Sequence, residues 1–195
     1  DGGVTSVCIQ IGNHGLEPTK DALAIALKGV LLDVCPIALV AGEATFDAAT
    51  ALVGVWTDRG IAPPDRQGSF GADPLGTLAL EGQASEPIAT ALARSVALMK
   101  LVEASPKVTA MTADGVPYHV AGATEAQELA CMLATLVAYL RAAEQGGIEP
   151  GAALAKITVA LACDADEFGT VAKFRAARRL VWRVAEACGA GDAAA

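Results

Sequence analysis

The sequence predicts an α/β fold: a partial (β/α)8 barrel of the TIM type, about five parallel βα units in a single domain over residues 1–195. Strand-like and helix-like segments alternate strictly, and the helices are long enough to cross between strands, which implies parallel strands in right-handed units. The strand faces are unequal. Val7, Ile9 and Ile11 oppose Ser6, Cys8 and Gln10, and Ile157, Val159 and Leu161 oppose Thr158, Ala160 and Ala162. A doubly wound sheet is covered on both sides and wants bulky residues on each. One bulky and one small face favour a barrel with helices outside and an open axis. The 195 residues fall short of the roughly 250 of a complete barrel.

Each element has its own signal. Residues 4–11 read as the first strand and 19–34 as the helix after it. Residues 36–40 form the second strand, followed by a helix over 44–59. Residues 67–72 are the third, after which Ser85, Glu86 and Pro87 open a helix as an N-cap with proline in the first turn. Residues 108–113 are the fourth strand, whose two faces do not separate cleanly. Thr124 with Gln127 makes a capping box, and Leu129, Met132, Leu133, Leu136, Val137 and Leu140 recur on one helical face until Gly146-Gly147 stops the helix. Residues 156–162 are the fifth strand, and its helix opens with Asp164 as cap and Glu167 three residues on.

Composition excludes several function classes. Hydrophobic residues make up 53% and charged ones 18%, so little sequence is left for disordered tails. A net charge of −8 argues against nucleic acid, whose phosphates need clustered Lys and Arg. No apolar run reaches membrane-spanning length, and no signal peptide opens the chain. The five cysteines, Cys8, Cys35, Cys131, Cys163 and Cys188, are odd in number and at least 25 residues apart. They read as reduced, mostly buried thiols of a cytoplasmic protein.

Chemistry concentrates in the stretch from Asp114 to Arg141. A strand runs into a Gly-Pro turn, then Tyr118 and His119 in a loop, then a capped helix. Barrel enzymes present functional groups at such strand-to-helix junctions. A Tyr-His pair can donate or accept a proton or hold a carbonyl; equally, His119 can cap a turn while Tyr118 covers a core edge. His14, after the first strand, would lie on the same face and is more often solvated than functional. No nucleophile elbow or glycine-rich phosphate loop is present. Lys173, Arg175, Arg178, Arg179 and Arg183 on the last helix read as a solvated face rather than a phosphate cradle. Asp164 and Asp166 read as helix-start residues rather than metal ligands.

Several words resemble the methylmalonyl-CoA mutase family across nearly the whole chain. They are Gly3-Val4-Thr5-Ser6, Leu31-Leu32-Asp33 with Pro36, Gly71-Ala72-Asp73-Pro74-Leu75-Gly76, Tyr118-His119 with Ala121-Gly122-Ala123, Gln127-Glu128-Leu129, and Ala172-Lys173-Phe174-Arg175-Ala176-Ala177-Arg178. The resemblance implies a barrel threaded by the pantetheine arm of coenzyme A. It also implies an adenosylcobalamin-dependent interconversion of methylmalonyl-CoA and succinyl-CoA. His119 then matches the histidine that holds the thioester carbonyl, and Tyr118 the tyrosine beside the reacting centre. Catalytic chains carry Thr-Ile-Gln-Asn-Asp where this chain has Ser69-Phe70-Gly71-Ala72-Asp73, and an Asn where Met111 falls. Ser69, Gly71 and Met111 are therefore degenerate substrate-binding positions, as in the small, non-catalytic chain of heterodimeric mutases. Its implied partners are a large catalytic chain and an acyl-CoA.

The family's cobalamin-binding signature is absent, so cofactor binding is expected from the assembled enzyme. The first strand and the last two strands of the barrel are expected to be missing, which makes the chain a fragment with unpaired strand edges prone to self-association. Two other readings stay open: a competent acyl-CoA mutase barrel of unusual site composition, and a non-enzymatic acyl-CoA-binding or scaffold module.

Overall fold

The computed structural model describes residues 3–12 and 15–191. Five strands, β1 (Val7–Gln10), β2 (Ile37–Val40), β3 (Gln67–Ala72), β4 (Lys107–Asp114) and β5 (Ile157–Ala160), form one sheet in sequence order with every pairing parallel. Sequential parallel order is the arrangement of a barrel wall; a doubly wound sheet reverses order partway. The helices are α1 (Lys20–Ala26), α2 (Thr45–Asp58), α3 (Pro74–Glu81), α4 (Ile88–Leu101), α5 (Val116–Val120), α6 (Glu125–Gln145), α7 (Pro150–Leu154) and α8 (Glu167–Ala187).

The core lies between the sheet and these helices. Trp56 and Phe70 meet there with ring centroids 6.1 Å apart, beside fully buried Leu23, Ile37, Leu52 and Met132. Each such side chain is worth roughly 1.5–3 kcal/mol when removed from water. Val7, Ile9, Ile157 and Val159 pack against this core as the strand faces predicted. On the opposite, concave face the register aligns Cys8, Ala38, Ser69 and Thr109 in one row, and the Thr158 hydroxyl donates to that of Thr109 at 2.9 Å.

The fourth strand's mixed pattern has a physical cause. The N–H groups of Ala110 and Met111 both donate to the Lys156 carbonyl, at 2.8 and 3.1 Å. This bulge moves one residue out of the alternation. Val108 and Ala110 face the helices before it, and Met111 and Ala113 face them after it. Met111, opposite Ile157, is therefore fully enclosed in the core. It is a packing residue and does not line the axis.

Local punctuation corrects other boundaries. The first helix ends at Ala26, well short of residue 34, because Gly29 takes φ +83 and breaks the turn. The strand expected over residues 4–11 shortens to Val7–Gln10, the part paired with β2. Ser85 does not cap α4: its N–H goes to Glu43 Oε1 at 2.9 Å, and Pro87 takes the cap position. The cap of α8 is Asp166, which accepts from Gly169 N at 3.0 Å, while Asp164 holds Asp166 N at 2.9 Å. The sequence reading missed α3, which starts as Asp73-Pro74 with Asp73 accepting from Gly76 N. The capping box of Thr124 and Gln127 forms as read. All five cysteines are free, but Cys8, Cys163 and Cys188 are exposed and none is fully buried, which corrects the mostly buried thiols expected.

The placement of Met111 carries a direct test. Met111→Asn puts an amide without partners into the core and is expected to cost about 3 kcal/mol in urea denaturation. An Asn tolerated without loss would put the side chain on the open face.

Candidate functional site

The site is assembled at the carboxyl ends of β3, β4 and β5. Gly115, just past β4, lets another side chain come close: a Cβ there would lie 2.9 Å from Glu128 Cγ and 3.1 Å from Leu161 Cδ2. Through that gap Glu128 reaches from the first turn of α6 to the end of β5. Its Oε1 accepts from Ala162 N at 2.7 Å, and its Oε2 pairs with Lys173 Nζ at 2.7 Å. Both side chains are fully enclosed. Lys173 also bonds Glu125 on the same helix as Glu128. Burial opposes the Lys173 charge, yet the hydrogen bonds and charges of Glu125 and Glu128 outweigh it and hold its pKa above the ordinary lysine value.

His119 lies in α5, a five-residue helix rather than the open loop expected. Its Nδ1 is turned inward, 3.3 Å from Glu128 Oε2. Tyr118 points elsewhere, into an apolar cleft of about 350 Å³ that it lines with Leu75, Leu78, Cys131 and Thr135. Adjacent in sequence, the two side chains serve different neighbourhoods.

Two further carboxylates stand beside this cluster. Asp114, at the end of β4, accepts from Val116 N at 2.8 Å; its pKa is raised by burial and secondarily by Glu128. Asp73 accepts from Gly76 N at 3.0 Å and from the Tyr139 hydroxyl, whose oxygen accepts from Leu75 N at 3.2 Å. Burial pushes Asp73 up to about 6, and the Asp114 charge adds to it, against the hydrogen bonds from Tyr139 and Gly76. Burial and the neighbouring carboxylate likewise push the Tyr139 hydroxyl upward.

The remaining predicted residues fall outside the cluster. Ser69 sits half-buried in the concave row, paired with Ala38 and Thr109. Gly71 takes φ +68, and a Cβ there would approach the Leu39 carbonyl to 2.7 Å. Met111 belongs to the core, and His14 lies outside the described residues. Ligand atoms of His119, Glu125 and Asp164 come within 4.8 Å of one another. The Lys173 ammonium already bonds Glu125 there, so the chain supplies its own cation.

Sequence reading missed Glu128, Lys173 and the Asp73–Tyr139 pair. A signal existed for Glu128: it shares the buried stripe of Met132, Thr135, Leu136 and Tyr139, where a carboxylate needs a partner. Lys173 stands four residues before buried Ala177, whereas Arg175, Arg178, Arg179 and Arg183 are exposed as expected.

Parallel strands in sequence order, helices on one side and polar groups at the strand ends define a barrel-type α/β protein. The chain belongs to the methylmalonyl-CoA mutase family, whose profile, described as Methylmalonyl-CoA mutase, matches residues 5–195. It is 43% identical over its whole length to a methylmalonyl-CoA mutase small subunit of Streptomyces virginiae, covering 31% of that protein. It is 36% identical over 96% of its length to a probable small subunit of Mycobacterium tuberculosis (strain ATCC 25618 / H37Rv), covering 29% of that protein. To the small subunit of Propionibacterium freudenreichii subsp. shermanii it is 32% identical over 97% of its length, again covering 29%. The chain thus spans about three-tenths of the length of the curated relatives it matches. Among the described residues no helix is long and apolar enough to cross a membrane.

Removing one member of a buried ion pair strands the other. Lys173→Met is expected to cost about 3–5 kcal/mol by denaturant titration at pH 7, against under about 0.5 kcal/mol for exposed Arg178→Met. Equal small losses would show that the pair is dispensable. Lys173 gains partners on folding and its pKa is raised, so its contribution is complete below the free-lysine value and fades as pH climbs through the folded one. Gly71→Gln meets both the positive φ and the Leu39 carbonyl, and is expected to destabilise by about 1–3 kcal/mol in the same assay.

Proposed function

We propose that this chain is the barrel segment of a methylmalonyl-CoA mutase small subunit. It supports a large catalytic chain in the adenosylcobalamin-dependent interconversion of methylmalonyl-CoA and succinyl-CoA. The observation that carries this reading is the state of the site residues. His119 has its Nδ1 buried 3.3 Å from Glu128 Oε2 without a hydrogen bond, and Gly71 stands where the backbone itself favours glycine. A histidine that must hold a reacting carbonyl through its other ring nitrogen needs polar companions on the neighbouring strands. Here the neighbouring positions supply a glycine and a buried methionine. The names of the relatives, all small subunits, support the same reading.

The described residues do not fit a corrin. Their one histidine is turned inward, and the concave row of Cys8, Ala38, Ser69 and Thr109 offers no second imidazole. Cofactor binding is therefore assigned to other parts of the assembled enzyme. Among the described residues the outer edges of β1 and β5 have no partner strand, only a bridge from Leu16 to the end of β1, which supports self-association of the isolated chain. Five unpaired cysteines support a cytoplasmic setting. A second reading, an acyl-CoA-binding module without catalysis, draws on the small side chains of that concave row, which leave room along the axis.

The test uses full-length small and large chains, co-purified and assayed separately and together. His119→Ala in the small chain is expected to leave the activity of the assembled pair nearly unchanged. Loss of a carbonyl donor would instead cost about a hundredfold or more. A fall of that size with assembly intact would return His119 to an active site. Failure of the two chains to assemble, with acyl-CoA still bound by the small chain alone, would favour the second reading.

A further inference from the structure

One nitrogen on the carboxyl-end face is left without a partner. His119 Nδ1 is shut off from water and makes no hydrogen bond, although Glu128 Oε2 lies 3.3 Å away. A buried polar atom in that state costs about 1–3 kcal/mol. Carboxylates converge on it: ligand atoms of His119, Glu125 and Asp164 lie within 4.8 Å of one another, with Glu128 behind them. Against these three carboxylates stands the single Lys173 ammonium, held between Glu125 and Glu128. Among the described residues none of the three is paired with an arginine. Lys173 therefore balances one charge of the three. The excess reaches Asp114, whose carboxyl is pushed up by burial, against the Val116 hydrogen bond, and further by the Glu128 charge.

We propose that His119 Nδ1, Glu125 and Asp164 form a binding site for a divalent transition-metal ion of the Zn²⁺ class, seated beside the Lys173 ammonium. The ion and the ammonium together balance the three carboxylates. The site ties α5, α6 and the loop after β5 to one another. It is a structural tie outside the reaction, and it stands whether or not the mutase reading does.

The geometry is close to what coordination needs. Bonds of about 2.1 Å in a tetrahedral arrangement set ligand atoms about 3.4 Å apart. The side chains must therefore close by about an ångström, and Asp164 is exposed and Glu125 partly so. Glu125 has two oxygens, of which Lys173 takes one. Asp164 Oδ1 accepts from Asp166 N at 2.9 Å and from the Thr170 hydroxyl at 3.3 Å, which orients the side chain and leaves Oδ2 for the ion. Such outer hydrogen bonds are what hold a ligating carboxylate in place. Glu128 is not a ligand, since Ala162 N and Lys173 already take its oxygens. The exposed side of Asp164 gives the ion a way in and room for a bound water. An imidazole nitrogen among carboxylate oxygens favours Zn²⁺ or Co²⁺ over Mg²⁺ and Ca²⁺, which prefer oxygen alone.

Titration of the 195-residue chain with Co²⁺, followed by visible absorption under a phosphine reductant, tests the site. One ion per chain is expected, with no thiolate-to-metal charge-transfer band, because no ligand is a cysteine. Zn²⁺ should displace the cobalt and raise the thermal midpoint as its concentration rises, whereas equal Mg²⁺ should not. His119→Ala and Asp164→Asn should each weaken Co²⁺ binding by about tenfold or more. His14→Ala, which removes the chain's other histidine, should leave it unchanged. Binding that survives both ligand variants would overturn the proposal, as would a midpoint indifferent to Zn²⁺. A charge-transfer band would do the same, by giving the ion to exposed Cys8, Cys163 or Cys188. If His119→Ala does not fold, Asp164→Asn decides alone, since asparagine keeps the acceptor for Asp166 N.

Discussion

The carboxyl-end face of this sheet depends on one buried charge pair. Glu128 and Lys173 are both enclosed, and between them they touch α5 through His119, α6 through Glu125, the exit of β5 through Ala162, and α8 through Lys173 itself. Burying two opposite charges costs several kcal/mol per ion before their attraction is counted. The arrangement tolerates that cost because both Glu128 oxygens are hydrogen-bonded, Oε1 by Ala162 N and Oε2 by Lys173 Nζ. Gly115 is part of the same constraint, since its missing Cβ leaves the passage the carboxylate occupies.

This constraint decides what His119 can do. Here α5 sets His119 against the pair, its buried Nδ1 3.3 Å from Glu128 Oε2 with no hydrogen bond formed. Tyr118, one residue earlier on a short helix, consequently points into the cleft beside α3 and α6. Neighbours in sequence are separated by about a hundred degrees around a helix, so a Tyr-His word does not make a Tyr-His site. The supporting role proposed for the chain follows from this geometry and from the glycine conformation at the end of β3.

Backbone irregularities decide the rest of the axial surface. Gly68 takes φ +145, with its Cβ position 1.9 Å from the Ile37 carbonyl, and Gly71 follows at φ +68. Together with the register shift between Ser69 and Ala72 they bend the end of β3. The bulge at Ala110 and Met111 then sends Met111 into the core. The two strands that would carry substrate contacts by resemblance are thus the two whose alternation is broken. That leaves Ser69 in the concave row, while Gly71 and Met111 bring no side chain to it.

The sequence by itself determined the barrel-type order, the helix-facing residues of β1 and β5, the capping box of α6 and the family, because these rest on periodicity, short-range capping and recognisable words. Each is decided within a few residues. The tertiary structure alone decided the direction of Met111, the inward turn of the His119 Nδ1, the pairing of Asp73 with Tyr139 and the burial of Lys173. Those depend on contacts between segments far apart in the chain: the Lys156 carbonyl that bulges β4, the Glu128 carboxylate 45 residues from its lysine, and the Tyr139 hydroxyl 66 residues from Asp73. A lysine next to four arginines reads as solvent-facing until the chain shows which helical face meets a buried glutamate.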